Sequence, residues 1–214
     1  MKNVNKIFRI NNSFIKTFSK NFSYFCSNCS SHSKNQLHGT TVLAVKKNNK
    51  LVIIADGQMT LGDTRFKSDT KKVRRINDNI ICGFAGALAD CTSLIENLES
   101  EIEAYPNDLL RASVNLAKTW RLNKQFRNLQ ASLIVADSKH LLNLDGSGNI
   151  IEINEGIIGI GSGGIYAQSA AKALYSIDNL SSEEIAFRSM KIAADLCIYT
   201  NDHITFEKLD TIDL

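Results

Sequence analysis

From residue 40 onward the order of apolar and polar positions resolves into short elements. Thr41–Lys47 is β-branched and alternating, Asn48-Asn49 is a turn signal, and Leu51–Ala55 is a short apolar run. Together they predict a β-hairpin. Val73–Ile76, Asn77-Asp78-Asn79 and Ile80–Phe84 predict a second one. The period then changes. Leu88, Cys91, Ile95, Leu98 and Ile102 recur at the three-and-four spacing of one helix face, and the only proline, Pro106, sets the stop. Leu109, Leu116 and Trp120 mark a second helix, entered through Asn107 or Asp108 as N-cap. Strands return at Ala131–Ala136, Leu141–Leu144, Ile150–Ile153 and Ile157–Ile160, with Asp145-Gly146 and Gly148-Asn149 as turns. Helices over Ile165–Tyr175 and Ser182–Ile198 follow, the latter with Ser181 or Ser182 as cap and acids in its first turn. A last strand covers His203–Phe206. Hairpins followed by helix pairs predict an α+β domain of antiparallel sheets with helices on their outer faces, not an alternating parallel fold. Residues 40–214 read as one domain.

Residues 1–39 differ in kind. Six of the 25 Lys and Arg fall there, with no Asp or Glu, seven Ser and five Phe. Residues 40–214 therefore carry 19 basic against 22 acidic groups, which disfavours a basic nucleic-acid binder. The leading segment lacks the compact apolar run of roughly 7–15 residues that a secretory signal needs. It reads as an organellar transit or pro segment removed on maturation, with the mitochondrial matrix as destination. A plain basic tail is the alternative. Its Cys26-x-x-Cys29 is a lone pair without the context of a metal or redox site. Five Cys in all are too few for a disulfide scaffold, and the odd count fits a reducing compartment. No apolar run approaches the ~18 residues of a membrane span.

Familiar chemistries are poorly supplied. Outside the leading segment only His140 and His203 occur, neither near a Cys or acid at metal-ligand spacing. The sequence around Ser162 lacks the G-x-S-x-G elbow. None of the 12 glycines precedes a Lys, so a Walker A loop is missing and ATP would be used by a partner chain. Gly159-Ile160-Gly161-Ser162-Gly163-Gly164 matches G-x-G-x-x-G, but Glu183 and Glu184, at the right distance for the ribose acid, begin a helix instead of ending a parallel strand. A sharp turn carrying Ser162 and several N–H groups to a strand end is the simpler reading; nucleotide binding at Gly159–Gly164 stays open beside it.

The junction Gly39-Thr40-Thr41 is more informative. Cleavage there would give Thr40 a free α-amine beside its own hydroxyl. Such an amine titrates at about 7.7–8.0, against about 10.4 for a lysine side chain, so it can serve as general base without a histidine. A neighbouring ammonium would depress it further by like-charge repulsion. In the run Lys71-Lys72-Val73-Arg74-Arg75, strand alternation lets one lysine, Lys72, point into a site while its neighbours are solvated, and Asp56 at the end of the second strand can hold it. An ordinary strand-initiating Thr40 is the competing reading.

At these residues the sequence resembles the HslV family, the proteasome-related peptidases of the ATP-dependent HslVU protease. The blocks TTVLAV, ADGQMTLG, KKVRRI, GFAGALAD, GIGSGGIYAQSAAKAL and DLCIYTND occur in order from Thr40 nearly to the C-terminus. The resemblance implies the N-terminal-nucleophile αββα four-layer sandwich. It implies that Thr40 is the nucleophile, with Lys72 beside it, Asp56 paired to that lysine, Ser162 bonded to the threonine, and Gly86 giving an oxyanion N–H. Asp195 would support this shell and Gly83 would lie in the substrate cleft. Ala194, Cys197 and Thr200 fall where the family binds a sodium ion through backbone carbonyls. It further implies two stacked hexameric rings, an HslU-type ATPase partner and unfolded protein substrates, with no role for nucleic acid or membrane. Departures are the long leading segment, Ala87 and Ala194 where glycine is commoner, and a one-residue shortening near Asn77–Asn79. A catalytically silent ring subunit is the alternative if Thr40 is never exposed.

Overall fold

The computed structural model describes residues 37–38, 40–122 and 129–212, all within the larger of two units, Asn35–Leu214. The Cys26–Cys29 pair and most of the leading segment lie outside the described residues. The strands are β1 (Leu37–His38), β2 (Thr41–Lys47), β3 (Lys50–Asp56), β4 (Met59–Leu61), β5 (Thr64–Lys67), β6 (Val73–Asn77) and β7 (Ile80–Gly86). After helices α1 (Leu88–Ala104) and α2 (Leu109–Leu122) come β8 (Ala131–Ala136), β9 (Leu141–Asp145), β10 (Ile150–Glu152) and β11 (Ile157–Gly161). Helices α3 (Gly164–Tyr175) and α4 (Ser182–Leu196) and strand β12 (Ile204–Asp210) complete the order.

Both predicted hairpins form. Asn48 and Asn49 turn the first with φ of 53° and 58°, the left-handed region asparagine tolerates best after glycine. Asp108, not Asn107, caps α2, its carboxylate accepting the Arg111 N–H. Ser181 caps α4 in a full capping box with Glu184. Two boundaries and one element depart from the sequence reading. Helix α4 stops at Leu196, because Cys197 turns to extended backbone, and β12 runs four residues beyond Phe206. The small hairpin β4–β5 was not predicted; every residue of β5 is exposed, so no alternation of burial marks it. Strand β1 pairs with its free edge, Leu37 opposite Leu61 and His38 opposite Thr60.

The main strands form two antiparallel sheets, β10-β9-β8-β7-β6 and β11-β2-β3-β12. Three apolar clusters show how they stack. Leu94, Leu98, Leu116 and Trp120 of α1 and α2 cover one sheet through Cys82, Leu133 and Leu142. Val42, Ile53, Ile81 and Ile134 fill the space between sheets. Ala167, Ile185 and Met190 of α3 and α4 cover the second sheet through Leu43 and Ile54. The result is an αββα four-layer sandwich, as the sequence implied. At Gly83 the sheets leave no room for a side chain: a Cβ there would stand 2.6 Å from Val42 Cγ1 and 2.8 Å from Ile53 Cγ2. The cationic run divides as alternation predicts for its lysines, Lys71 exposed and Lys72 buried. Arg75 crosses the sandwich edge, donating to the Glu207 carboxylate and the Lys208 carbonyl of β12.

Candidate active site

Strand β2 begins next to β11, with Thr41 opposite Gly161, so the residue before β2 meets the turn after β11. That residue is Thr40, 7% exposed. Ser162 wraps it: the Ser162 N–H donates to the Thr40 carbonyl at 2.8 Å, its hydroxyl donates to the same oxygen at 3.2 Å, and Thr40 N donates to Ser162 Oγ at 3.4 Å. The approach requires glycine at 161. Its φ is +83°, and a Cβ would fall 2.1 Å from the Thr40 carbonyl oxygen. Gly163 is equally constrained by Thr41 Oγ1 and Thr200 Oγ1, which lie 2.2 and 2.5 Å from the place its Cβ would take. These glycines therefore serve close packing around Thr40 and Thr41. Strand β11 pairs antiparallel with β2, so the parallel βαβ unit of a dinucleotide site is not formed here.

Asp56, the last residue of β3, is fully buried and accepts four hydrogen bonds. Oδ1 takes Thr41 N–H at 2.7 Å and Lys72 Nζ at 3.0 Å. Oδ2 takes Gln58 N–H at 2.9 Å and Asn201 N–H at 3.3 Å. Charge pairing and complete hydrogen bonding together are what make a buried carboxylate tolerable. Lys72 also donates to the Gln58 carbonyl. Burial pushes its pKa below the usual lysine range, against the opposing pull of the Asp56 charge and hydrogen bond. Thr41 N–H and Lys72 thus share one carboxylate oxygen, which ties the lysine to the residue next to Thr40.

Gly83 and Gly86 lie on β7, whose Phe84 N–H donates to the Lys72 carbonyl. Gly86 has φ of +131°, and a Cβ there would collide with the Gln130 carbonyl at 2.0 Å. Ala85 borders the Thr40 turn, its Cβ 3.2 Å from the place a Gly161 Cβ would occupy. At the end of α4, Cys197 N–H donates to Ala193, Thr200 N–H donates to Cys197, and Thr200 Oγ1 meets Thr41 Oγ1 at 2.7 Å. Asp195 is exposed and makes none of the hydrogen bonds joining Thr40, Asp56, Lys72 and Ser162. The residue that reaches Asp56 from this part of the chain is Asn201, to which the sequence reading assigns no role. Thr41 and Gln58 were likewise missed. All three stand inside the quoted blocks, but a backbone N–H that donates to a carboxylate leaves no side-chain signature in the sequence.

A family profile described as proteasome subunit matches residues 37–209. Among solved structures, eukaryotic HslV from Trypanosoma brucei is 45% identical, with a TM-score of 0.76, covering 79% of this chain and 99% of that one. Thiobacillus denitrificans BPH, solved in complex with Epoxomicin, has a TM-score of 0.65 over 81% of this chain and 100% of that one. At 17% identity it supports the fold alone. With the four layers, the buried Asp56–Lys72 pair and the Ser162 cradle of Thr40 in one place, the chain belongs to the proteasome family of N-terminal threonine peptidases, as a subunit of the HslV type.

Proposed function

We propose that this chain, cut between Gly39 and Thr40, is the proteolytic subunit of an ATP-dependent protease that degrades unfolded proteins. The carrying observation is the shared Asp56 carboxylate, which joins Lys72 to the backbone beside Thr40 while Ser162 holds Thr40 from the other side. Thr40 Oγ attacks the peptide carbonyl, and the new α-amine takes its proton and passes it to the departing amine as the C–N bond breaks. The Gly86 N–H stabilises the oxyanion; losing one such donor raises the barrier by about 2.7–4 kcal/mol. Water, activated by the same amine, then cleaves the ester and restores Thr40. The Lys72 ammonium keeps that amine deprotonated near neutrality.

The same reading places the subunit in two stacked hexameric rings beneath a hexameric ATPase that unfolds substrates. Leu196, Ile198 and Ile165, respectively 60%, 78% and 65% exposed, are apolar side chains of the kind an assembly covers. The basic, acid-free leading segment supports delivery to the mitochondrial matrix. The family resemblance assigns a sodium ion, a hard cation that takes oxygen ligands, to the carbonyls of Ala194, Cys197 and Thr200, in the last turn of α4 and the turn that follows it. Since main-chain oxygens are the ligands, Ala194 in place of glycine is compatible. The ion would brace the turn that carries Thr200 to Thr41. The test is a Thr40-initiated chain supplied with its ATPase. It should hydrolyse unfolded protein, Thr40→Ala should abolish this, and N-terminal sequencing of the native protein should start at Thr40. Undiminished hydrolysis by Thr40→Ala would reject the assignment, and a native chain retaining Gly39 would leave the silent ring subunit as the reading.

A further inference from the structure

We infer that Asn201 is a positioning residue for this peptidase, setting Asp56 and through it Lys72; the inference rests on the Thr40 reading above. Asn201 follows α4 and is 8% exposed. Its carboxamide bridges two segments on either side of the ion pair. Oδ1 accepts Gly57 N–H at 3.0 Å, and Nδ2 donates to the Ser68 carbonyl at 2.9 Å. Oδ1 also accepts His203 N–H at 3.2 Å, which orients the amide on its own turn. Gly57 directly follows Asp56, and Ser68 opens the stretch that leads to Lys72.

Those segments are already in near contact. A Cβ on Gly57 would lie 2.4 Å from the Ser68 carbonyl, and the Thr70 N–H donates to the Gly57 carbonyl at 2.9 Å. One face of the amide needs an acceptor and the other a donor, which only a carboxamide of this length supplies at once. A carboxylate would oppose the Ser68 oxygen and stand beside the Asp56 charge. Meanwhile the Asn201 N–H binds Asp56 Oδ2, so a single residue fixes both the carboxylate and the backbone turn that carries it. The ion pair in this network is Asp56–Lys72, and the other titratable residues adjoining it are Asp69, next to Ser68 and close to Gly57, and Asp202 and His203, on the turn of Asn201 itself. Asn201 touches neither Thr40 nor its hydroxyl in any described contact, and its effect is indirect.

The experiment uses Asn201→Ala and Asn201→Ser in the Thr40-initiated protein, assembled with its ATPase. With a peptide substrate, kcat should fall about tenfold with KM nearly unchanged, as expected when a catalytic group is displaced by a fraction of an ångström. Loosened Lys72 repels the Thr40 ammonium less, so the acid limb of kcat/KM should move upward by about half a pH unit or more. Competitive acetylation of the Thr40 amine against pH, read by mass spectrometry, should show the same shift without relying on turnover. Folded variants with wild-type kcat, pH limb and amine titration would overturn the inference. A lower melting temperature with an unchanged pH profile would overturn it too, as would failure of both variants to fold, since Asn201 would then serve folding only. An inactive wild-type protein would instead reject the peptidase reading, and the acetylation arm would still decide whether Asn201 governs the amine.

Discussion

Replacing Asp56 by Asn tests the pair at the centre of the site. The side chains of Lys72 and Asp56 are 2% and 0% exposed, and the carboxylate is the acceptor for four donors. An asparagine amide can keep one pair of those donors, but its NH2 group then points at the other pair whichever way it is turned. The substitution also leaves a buried ammonium without its counter-charge. Breaking a buried pair from one side costs about 3–5 kcal/mol. At about 2–4 °C per kcal/mol for a domain of this size, the melting temperature should fall by roughly 6–20 °C. Adding Lys72→Met should recover part of the loss, because the orphaned charge is gone although the misplaced NH2 remains. Melting of the wild type, both single variants and the double variant would be followed calorimetrically, at one protein concentration because assembly contributes to apparent stability. A melting point for Asp56→Asn within about 2 °C of wild type would refute the account, given that a loss of even 1 kcal/mol should move it that far. So would a double variant no more stable than Asp56→Asn.

Further outcomes follow from the same geometry. The folded state holds Lys72 below its usual pKa, so between that lowered value and the ordinary lysine range the unfolded chain binds more protons and stability should rise with pH. The rise should vanish in Lys72→Met, as paired melting curves across the alkaline range would show. Gly161→Ala should reduce kcat by about 100-fold or more, since a Cβ 2.1 Å from the Thr40 carbonyl must displace the nucleophile; steady-state kinetics on a folded variant would check it. Replacing sodium by choline should lower the melting temperature by about 3–6 °C if sodium was at ten times its Kd, since saturation at that level contributes about 1.4 kcal/mol. An unchanged melt would remove the ion from the proposal.

Legibility in the sequence tracked how local each feature is. Short apolar and β-branched runs bounded by turn signals marked β2, β3, β7 and β8, which are buried on both faces, and helical spacing found α1 through Cys91, Ile95, Leu98 and Ile102. It failed for β5, which buries nothing, and cut β12 short because that edge strand mixes Glu207, Lys208 and Asp210 among its apolar positions. Thr40, Asp56, Lys72 and Ser162 were reachable from hydroxyl, charge and turn chemistry aided by block resemblance. Asn201 was not, since it acts across 145 positions on Asp56 and 133 on Ser68. The sequence put Asp195 in the supporting shell, but its place on the exposed side of α4 is set by how the helix packs, which spacing alone does not determine.

The carboxylate at the end of β3 draws its donors from distant parts of the sequence, Thr41 at the start of β2 and Asn201 after α4. A polypeptide interrupted before residue 200 could pair β2 with β3, yet it would lack the hydroxyl that meets Thr41 and the N–H that completes Asp56. The fold therefore assembles before the site does: the sheet can close early, but the surroundings of Asp56 and Thr41 wait for the turn at residues 200–201.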